Sequence, residues 1–145
     1  MKVRDIIAHK GSAVVTVRPD TTVATTVHRL MLERIGALIV SDDGARVLGI
    51  VSERDIVRVV AERGAEALAP DLTVEEIMTR HVLTCGLEDT VKDLMTTMTQ
   101  RRIRHLPVVE SGKLVGIVSI GDVVKNRVEE VELEANVLRE YIHLQ

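Results

Sequence analysis

The sequence has almost no aromatic side chains: its 145 residues include no Phe, no Trp and a single Tyr, Tyr141. Proteins that bind single-stranded nucleic acids stack bases on aromatic rings, and cages for methylated lysine or choline are built from the same rings. The composition excludes both kinds of site. In place of aromatics the chain has 24 Val and 11 Ile, β-branched residues that favour strands. We therefore expect an aliphatic core with substantial sheet.

Strong positive charge is also absent. There are 19 Lys and Arg against 22 Asp and Glu, a net charge of −3, and the pI is about 6.0. Duplex-binding domains usually have a basic face, so nucleic acid is not the expected partner. The lone Cys85 cannot form an intramolecular disulfide, which suits a reducing compartment. Because the sequence shows neither a secretory signal nor a membrane-spanning apolar run, we expect a cytoplasmic globular protein without a membrane partner.

The sequence contains an internal repeat. Residues 20–35 align with residues 88–103 at a constant offset of 68, and residues 36–57 resemble residues 104–124. Identical residues recur along the alignment in the pairs Thr22/Thr90, Arg34/Arg102, Val40/Val108, Gly49/Gly116, Ser52/Ser119 and Asp55/Asp122. Upstream, VRDII (3–7) resembles VEEIM (74–78). Such self-similarity indicates a duplicated structural unit.

Each copy predicts the same order of elements, β-α-β-β-α. The predicted strands are 14–17, 37–41 and 47–51 in the first copy and 82–85, 105–109 and 114–118 in the second. The predicted helix caps are Asp20 or Thr21, Asp89 or Thr90, Ser52, and Ser119. Gly36 is expected to supply the left-handed residue that ends the first helix, and the second helix is expected to end near Gly64.

The repeat sets the expected domain organisation of an α/β (α+β) chain. We predict a first copy at 1–66, a linker at 67–73, a second copy at 74–128 and a C-terminal helical extension at 129–145. One copy is small for a stable core of its own. The two copies are therefore expected to pack through their sheets about a pseudo-twofold axis, which would create two clefts.

The most informative segments are GIVSERD (49–55) and GIVSIGD (116–122). One interpretation is structural, because Ser followed three residues later by Asp resembles a capping box at the start of a helix. That interpretation leaves Gly49 and Gly116 unexplained, since a glycine weakens a strand unless something approaches its backbone closely. The alternative is a cleft in which a helix N-terminus attracts phosphate and a carboxylate accepts hydrogen bonds from a ribose diol.

These two copies resemble a tandem pair of CBS domains, the cystathionine β-synthase-type regulatory module, over residues 3 to 128. The resemblance implies that the pair dimerises into a flat disc of four copies. It also implies that adenosine compounds (AMP, ADP, ATP, NAD or S-adenosylmethionine) bind in the clefts. In the family signature Asp holds the ribose hydroxyls and Ser or Thr lies near phosphate; these roles fall on Ser52 and Asp55, and on Ser119 and Asp122.

The resemblance implies further contacts at the first strand of each copy and, in the second copy, just before the next strand. The backbone at Thr16–Val17 and Thr84–Cys85 is expected to line the adenine pockets. Arg104 and His105 precede the next strand, where family members place basic residues near phosphate. A structural interpretation of the basic run 101–105 is equally open, because cations at a helix C-terminus complement the helix dipole without any ligand.

The first copy departs from this pattern. Gly36 and Ala37 occupy the positions that correspond to the basic pair of the second copy. Arg54 or Lys10 is expected to substitute for the missing cations in the first cleft. We therefore expect the two clefts to be chemically unequal.

Catalysis is not expected. The chain has no Gly-rich phosphate loop with Lys and no Cys–His nucleophile pattern, and His81 with Cys85 is too small a set for a zinc site. Cys85 is interpreted as a small core hydrophobe. No obligatory cofactor is implied beyond the adenine nucleotide as ligand.

The C-terminal residues continue the last predicted helix. Apolar residues recur in steps of four and three at Val124, Val128, Val131, Ala135, Leu138 and Ile142, the spacing of a heptad. This helix is expected either to lie on its own domain or to form a dimer contact that reinforces the disc.

The predicted function is that of a nucleotide sensor that signals in trans to an unknown effector protein. The alternative is an assembly module whose clefts stay empty.

Overall fold

The computed structural model describes residues 1–145 and confirms a mixed α/β fold with a long C-terminal helix. The helices are α1 (Val3–Lys10), α2 (Val23–Glu33), α3 (Glu53–Arg63), α4 (Val91–Arg101) and α5 (Ile120–His143). The strands are β1 (Thr16–Val17), β2 (Ala37–Val40), β3 (Gly49–Ser52), β4 (His105–Glu110) and β5 (Lys113–Ser119). Short 3-10 helices occupy Gly64–Leu68 and Val74–Glu76.

The strands form two small sheets, one in each copy. In the first sheet β1 pairs with β2 in parallel and β2 pairs with β3 antiparallel, so that Val40 lies opposite Gly49. In the second sheet β4 and β5 form an antiparallel hairpin with an irregularity between Val108 and Val109. The strand predicted at 82–85 is reduced to a single parallel bridge between Cys85 and Val108. The strand predicted at 14–17 is likewise shorter than expected.

The helix ends correct two of the predictions. Thr90 caps α4 as expected, but Thr22 caps α2 in place of Asp20 or Thr21; each threonine Oγ1 accepts a hydrogen bond of 3.1 Å from a backbone N–H of the first turn. Gly36 does not end α2. The left-handed residue is Arg34, with φ 54°, and Arg102 has the same φ at the end of α4. Gly64 caps the end of α3, as predicted.

Two hydrophobic cores hold the molecule together, and each takes a segment from the opposite copy. The first core combines β1, β2, β3, α2 and α3 with the buried residues Leu72, Val74 and Ile77, which come after the first copy. The second combines β4, β5, α4 and the start of α5 with Val3 and Ile6 of α1. The two copies thus exchange their leading segments, α1 and residues 72–79, which we call the exchanged segments.

Backbone hydrogen bonds fix the exchanged segments in place. Val3 N donates to Asp89 O at 2.9 Å, and Val23 N donates to Leu72 O at the same distance. Ala67, within the predicted linker, is fully buried in the first core. The chain between the copies is therefore part of the packed structure.

Helix α5 begins within the second copy and continues well past it. Val123 is fully buried, whereas every residue from Val131 to the end is exposed except the half-buried Ala135. Of the two expectations for this segment, the one in which it lies on its own domain is wrong.

Candidate functional site

The junction between β3 and α3 places the first Ser–Asp pair. Ser52 caps α3, its backbone N–H donates to Asp55 Oδ2 at 2.8 Å, and its hydroxyl lies 3.2 Å from the same oxygen. Asp55 Oδ1 lies 3.3 Å from a guanidinium nitrogen of Arg58. Both carboxylate oxygens of this buried acid are thus engaged within α3, as the capping interpretation predicts.

The second Ser–Asp pair has the same backbone geometry and a different partner. Ser119 caps α5, and its N–H donates to Asp122 Oδ2 at 2.9 Å. Lys10 Nζ donates to the same oxygen at 2.5 Å. Lys10 therefore lies at the second copy's aspartate, and not in the first cleft, where the sequence placed it. The side chain of Asp122 is 27% exposed and that of Asp55 10%, so the two acids differ in both partner and access.

The contact with Lys10 affects the pKa of Asp122. Burial raises the pKa of Asp122, but hydrogen bonds from Lys10 and Ser119 outweigh burial and hold the pKa below its usual value. The carboxylate therefore stays ionised at neutral pH.

The strand glycines have an explanation that the sequence did not suggest. A Cβ at Gly49 would lie 2.8 Å from Met78 Cγ and 3.0 Å from Thr79 O, and one at Gly116 would lie 2.7 Å from Ile7 Cδ1. What approaches these strands is the exchanged segment from the other copy. The interpretation that the glycines make room for a ligand is thus wrong, because the protein's own side chains fill that space.

A cavity of about 420 Å³ lies between the copies, at the N-termini of α3 and α5. Its polar and charged lining consists of Ser52, Glu53, Arg54, Asp55, Thr79, Arg102, Arg104, His105 and Ser119. Its apolar lining consists of Ile50, Ile103 and Ile120. A neighbouring cavity of about 400 Å³ shares Arg54, Arg102 and Arg104 with the first, so these three arginines border both spaces.

His105 lines the first cavity and lies next to Gly36. A Cβ at Gly36 would lie 3.2 Å from the imidazole ring, so the glycine makes room for the histidine. Burial lowers the pKa of His105, as do the charges of Lys10 and Arg104, whereas Glu53 and Asp122 act in the opposite direction. The net effect favours a neutral imidazole at pH 7.

Comparison with known proteins decides the family. The CBS domain profile matches residues 3–62 and 74–129, which is most of the chain. The chain belongs to the CBS-domain family. A crystal structure of the CBS-domain containing protein ATU1752 from Agrobacterium tumefaciens is 45% identical, with a TM-score of 0.83 over 88% of this chain and 99% of that one.

Two further CBS proteins bear on the comparison. The CBS pair of protein MJ0100, crystallised with 5′-methylthioadenosine and S-adenosyl-L-methionine, is 26% identical with a TM-score of 0.75, covering 86% of this chain and 98% of that one. The mitochondrial protein CBSX3 of Arabidopsis thaliana is 36% identical over 127 residues, which make up 85% of this chain and 61% of CBSX3. The chain spans less than two thirds of the length of CBSX3 and of several other curated relatives.

The cavity of about 420 Å³, which we call the CBS cleft, is lined by half of the side chains predicted from the sequence. Six of them line it: Ser52, Arg54, Asp55, Arg104, His105 and Ser119. Arg104 and His105, assigned to the second copy's own cleft, lie in the same cavity as the Ser–Asp pair of the first copy. The other six lie outside its lining: Lys10, Thr16, Val17, Thr84, Cys85 and Asp122.

Among these outlying residues, Val17 and Cys85 are buried in the two cores. Burial, followed by the charge of Asp89, raises the pKa of the Cys85 thiol to about 12. The interpretation of Cys85 as a small core residue is therefore confirmed by its position.

Arg102 and Glu53 line the CBS cleft and were not among the predicted site residues. The sequence did contain a signal for the basic side: the first copy has Gly36 where the second has Arg104. A small residue at a position in one copy, where the other copy has a long side chain, is consistent with side chains that reach across the boundary between the copies.

No group of three or more His, Cys, Asp or Glu side chains is placed to hold a metal ion. No helix has both the length and the apolar character needed to span a bilayer.

Proposed function

We propose that this CBS pair is a non-catalytic regulatory module that binds an adenine nucleotide between its copies and signals to an effector protein in trans. The observation that carries the proposal is the cavity of about 420 Å³ at the N-termini of α3 and α5. Its volume is within the range of small-molecule sites, and it combines isoleucine side chains with converging charged groups. AMP, ADP, ATP and NAD are the candidate ligands.

The charge of the cleft favours a phosphorylated ligand. Arg54, Arg102 and Arg104 line the cavity together with Glu53 and Asp55, and Asp55 is already engaged by Arg58. Arginine forms strong charge-assisted hydrogen bonds with phosphate, and helix N-termini add to the positive potential. The cationic sulfonium of S-adenosylmethionine gains nothing from three arginines. We therefore expect this chain to prefer adenine nucleotides to the ligands that MJ0100 binds.

A homodimer is part of the proposal. Val57 on α3 and Val124 on α5 occupy equivalent positions in the two copies, and both are exposed, as are Met31 and Leu32 on α2. Exposed apolar groups on the outer helices favour association with a second copy. The effector protein would then recognise the ligand-bound state of a disc of four CBS copies.

The test is calorimetric titration and thermal unfolding with AMP, ADP, ATP, NAD and S-adenosylmethionine, with and without magnesium. A ligand at 100 times its dissociation constant adds about 2.7 kcal/mol to the free energy of unfolding. Arg104→Ala should weaken nucleotide binding by about tenfold, because a charge-assisted hydrogen bond is lost. Arg101→Ala is the matched control, since Arg101 is exposed on α4 and lines neither cavity.

Two outcomes would contradict the proposal. If no adenosine compound raises the unfolding temperature, the chain is an assembly module with empty clefts. If S-adenosylmethionine binds more tightly than ATP and Arg104→Ala leaves ATP binding unchanged, the arginines do not select the ligand.

A further inference from the structure

Helix α5 presents an apolar face that nothing in this chain covers. Val128 is 50% exposed, Leu138 61% and Ile142 67%. Together with Val124, Val131 and Ala135 these residues recur every three or four positions along one side of the helix. The face begins at the exposed Val124, so it is continuous with the apolar surface through which we propose that two copies associate.

The exposed part of α5 leaves its apolar stripe uncovered by the rest of the chain. Beyond Glu130, α5 has no contact with its own domain that buries more than part of Ala135. Because Val, Leu and Ile side chains are left in water along one stripe, the helix is suited to pairing with another helix.

The heptad positions favour a two-stranded pair. Val128, Ala135 and Ile142 take the a positions, and Val124, Val131 and Leu138 take the d positions. β-Branched residues at a, with Leu at d, are typical of parallel dimers; Val128, Ile142 and Leu138 follow this pattern, whereas the other d positions are valines. The core is short and contains one alanine, so the pairing would depend on a dimer that the domains also hold.

The charges beside this stripe distinguish the two orientations. Positions e are Lys125, Glu132 and Arg139, and positions g include Arg127 and Glu134. In a parallel pair each g residue faces the e residue five positions later in the partner helix, which sets Arg127 opposite Glu132 and Glu134 opposite Arg139. Every one of these pairs is attractive.

The antiparallel arrangement gives the opposite result. When the two stripes overlap fully, e faces e and g faces g. Glu132 then meets Glu132, Glu134 meets Glu134, and Lys125 meets Arg139. Every one of these pairs is repulsive, and the e and g charges of paired helices decide their orientation.

We propose that α5 pairs with α5 of a second copy of this chain, parallel and in register, through the a and d positions named above. This inference rests on the dimer of the proposed function and deepens it by fixing its direction: both C-termini point the same way, and like copies lie next to each other in the disc. Leu133 and Val137 lie away from the a, d, e and g positions of α5 and remain outside this contact, whereas Tyr141 takes a g position beside it.

Disulfide formation between introduced cysteines tests the orientation. Ile142→Cys should give a disulfide-linked dimer under mild oxidation, because only a parallel, in-register pair brings residue 142 next to its own copy. Glu140→Cys, away from the stripe, is the matched control and should stay unlinked. The unaltered chain should also stay unlinked, since its Cys85 is buried.

A charge exchange provides a second measurement. Glu134→Arg should weaken dimerisation by roughly tenfold in sedimentation, because two attractive pairs become repulsive. Adding Arg139→Glu to Glu134→Arg should restore dimerisation. In an antiparallel pair Glu134→Arg would replace one like-charge contact with another and leave dimerisation nearly unchanged, and adding Arg139→Glu would strengthen dimerisation because the new glutamate would face Lys125.

Each contrary result has a distinct meaning. Linkage of a Val124→Cys chain to an Ile142→Cys chain, without Ile142 self-linkage, would show an antiparallel pair. A dimer in which no α5 cysteine links would overturn pairing through α5 and leave the disc intact. A monomer that still binds nucleotide by calorimetry would overturn the inference and the dimer, but not the ligand site.

Discussion

Single side chains decide how closely the exchanged segments fit against the sheets. Met78 fills the space beside Gly49, and Ile7 fills the corresponding space beside Gly116. The two contacts differ in how far they can yield. Ile7 meets the glycine with the end of its side chain, whereas at Gly49 the obstacle includes the backbone oxygen of Thr79. A methyl group is therefore harder to accommodate at Gly49.

Gly49→Ala should lower the free energy of unfolding by about 1–3 kcal/mol, the usual cost of overpacking a core. Gly116→Ala should cost less, because the Ile7 side chain can turn away. Gly86→Ala is the control, since a Cβ there would come no closer than 3.9 Å to another atom. Urea unfolding of the three variants gives the order directly. Equal losses at Gly49 and Gly86 would show that Met78 does not press on the strand.

His105 predicts a pH dependence of stability. Burial and the nearby cations lower its pKa in the folded chain, whereas in the unfolded chain it titrates near 6.5. The unfolded state therefore binds more protons as the pH falls through 6.5, and the free energy of unfolding falls with it. The stabilising contribution is complete above about pH 7.5 and is lost on acidification toward the folded pKa.

The measurement compares urea unfolding at about pH 7.5 and pH 5.5 for the unaltered chain and for His105→Gln. The variant should lose part of the difference between the two pH values. His28→Gln, at an exposed position on α2, should retain the full difference. A His105→Gln chain with unchanged pH dependence would show that the imidazole is free to protonate in the folded state.

At the level of helices and strands, α2 and α4 both end on an arginine in the left-handed conformation. Arg34→Gly should raise the free energy of unfolding by about 0.5–1 kcal/mol, because glycine adopts this conformation without strain. Arg102→Gly should give a similar gain and should also weaken nucleotide binding, since only Arg102 borders the cleft. Thermal unfolding and calorimetry separate the two effects. A loss of stability in Arg34→Gly would mean that the arginine side chain itself stabilises the helix end.

The same elements show what the sequence could and could not predict. The hairpins and the starts of α3 and α5 were predictable because apolar alternation, capping residues and the repeat all agreed. The left-handed ends were missed because Gly36 is the usual residue for that role and arginine is not. The placement of the exchanged segments was missed because VRDII (3–7) and VEEIM (74–78) resemble each other. Either segment is therefore compatible with either core. Only three-dimensional packing distinguishes them.

The shared lining of the cleft was also out of reach. Ser52 and Asp55 were identified from a local pattern, and that pattern is sufficient for a cap as well as for a site. Arg104 was assigned to the cleft of its own copy because the family resemblance places basic residues near phosphate just before this strand. Whether it crosses to the other copy depends on the relative placement of α3 and β4, which no local pattern encodes.

For the chain as a unit, the exchange predicts joint unfolding of both cores. Leu38→Ala should cost about 2–5 kcal/mol, since Leu38 is fully buried in the first core. If the cores unfold together, the slowest-exchanging amides of β5 in the second core should lose protection by the same amount as those of β2. Native-state hydrogen exchange measures both strands at once. Loss of protection in β2 alone would show that the copies unfold independently.

The exchanged segments also govern how such a chain can be divided. A fragment that stops at residue 66 keeps α1 but lacks residues 72–79, which complete the first core. The one segment left to fill that place is α1, with Ile7 where Met78 lies against Gly49. A lone unit must therefore close on itself or borrow α1 from a second molecule. The tandem chain is, in this sense, a domain-swapped dimer joined into a single polypeptide.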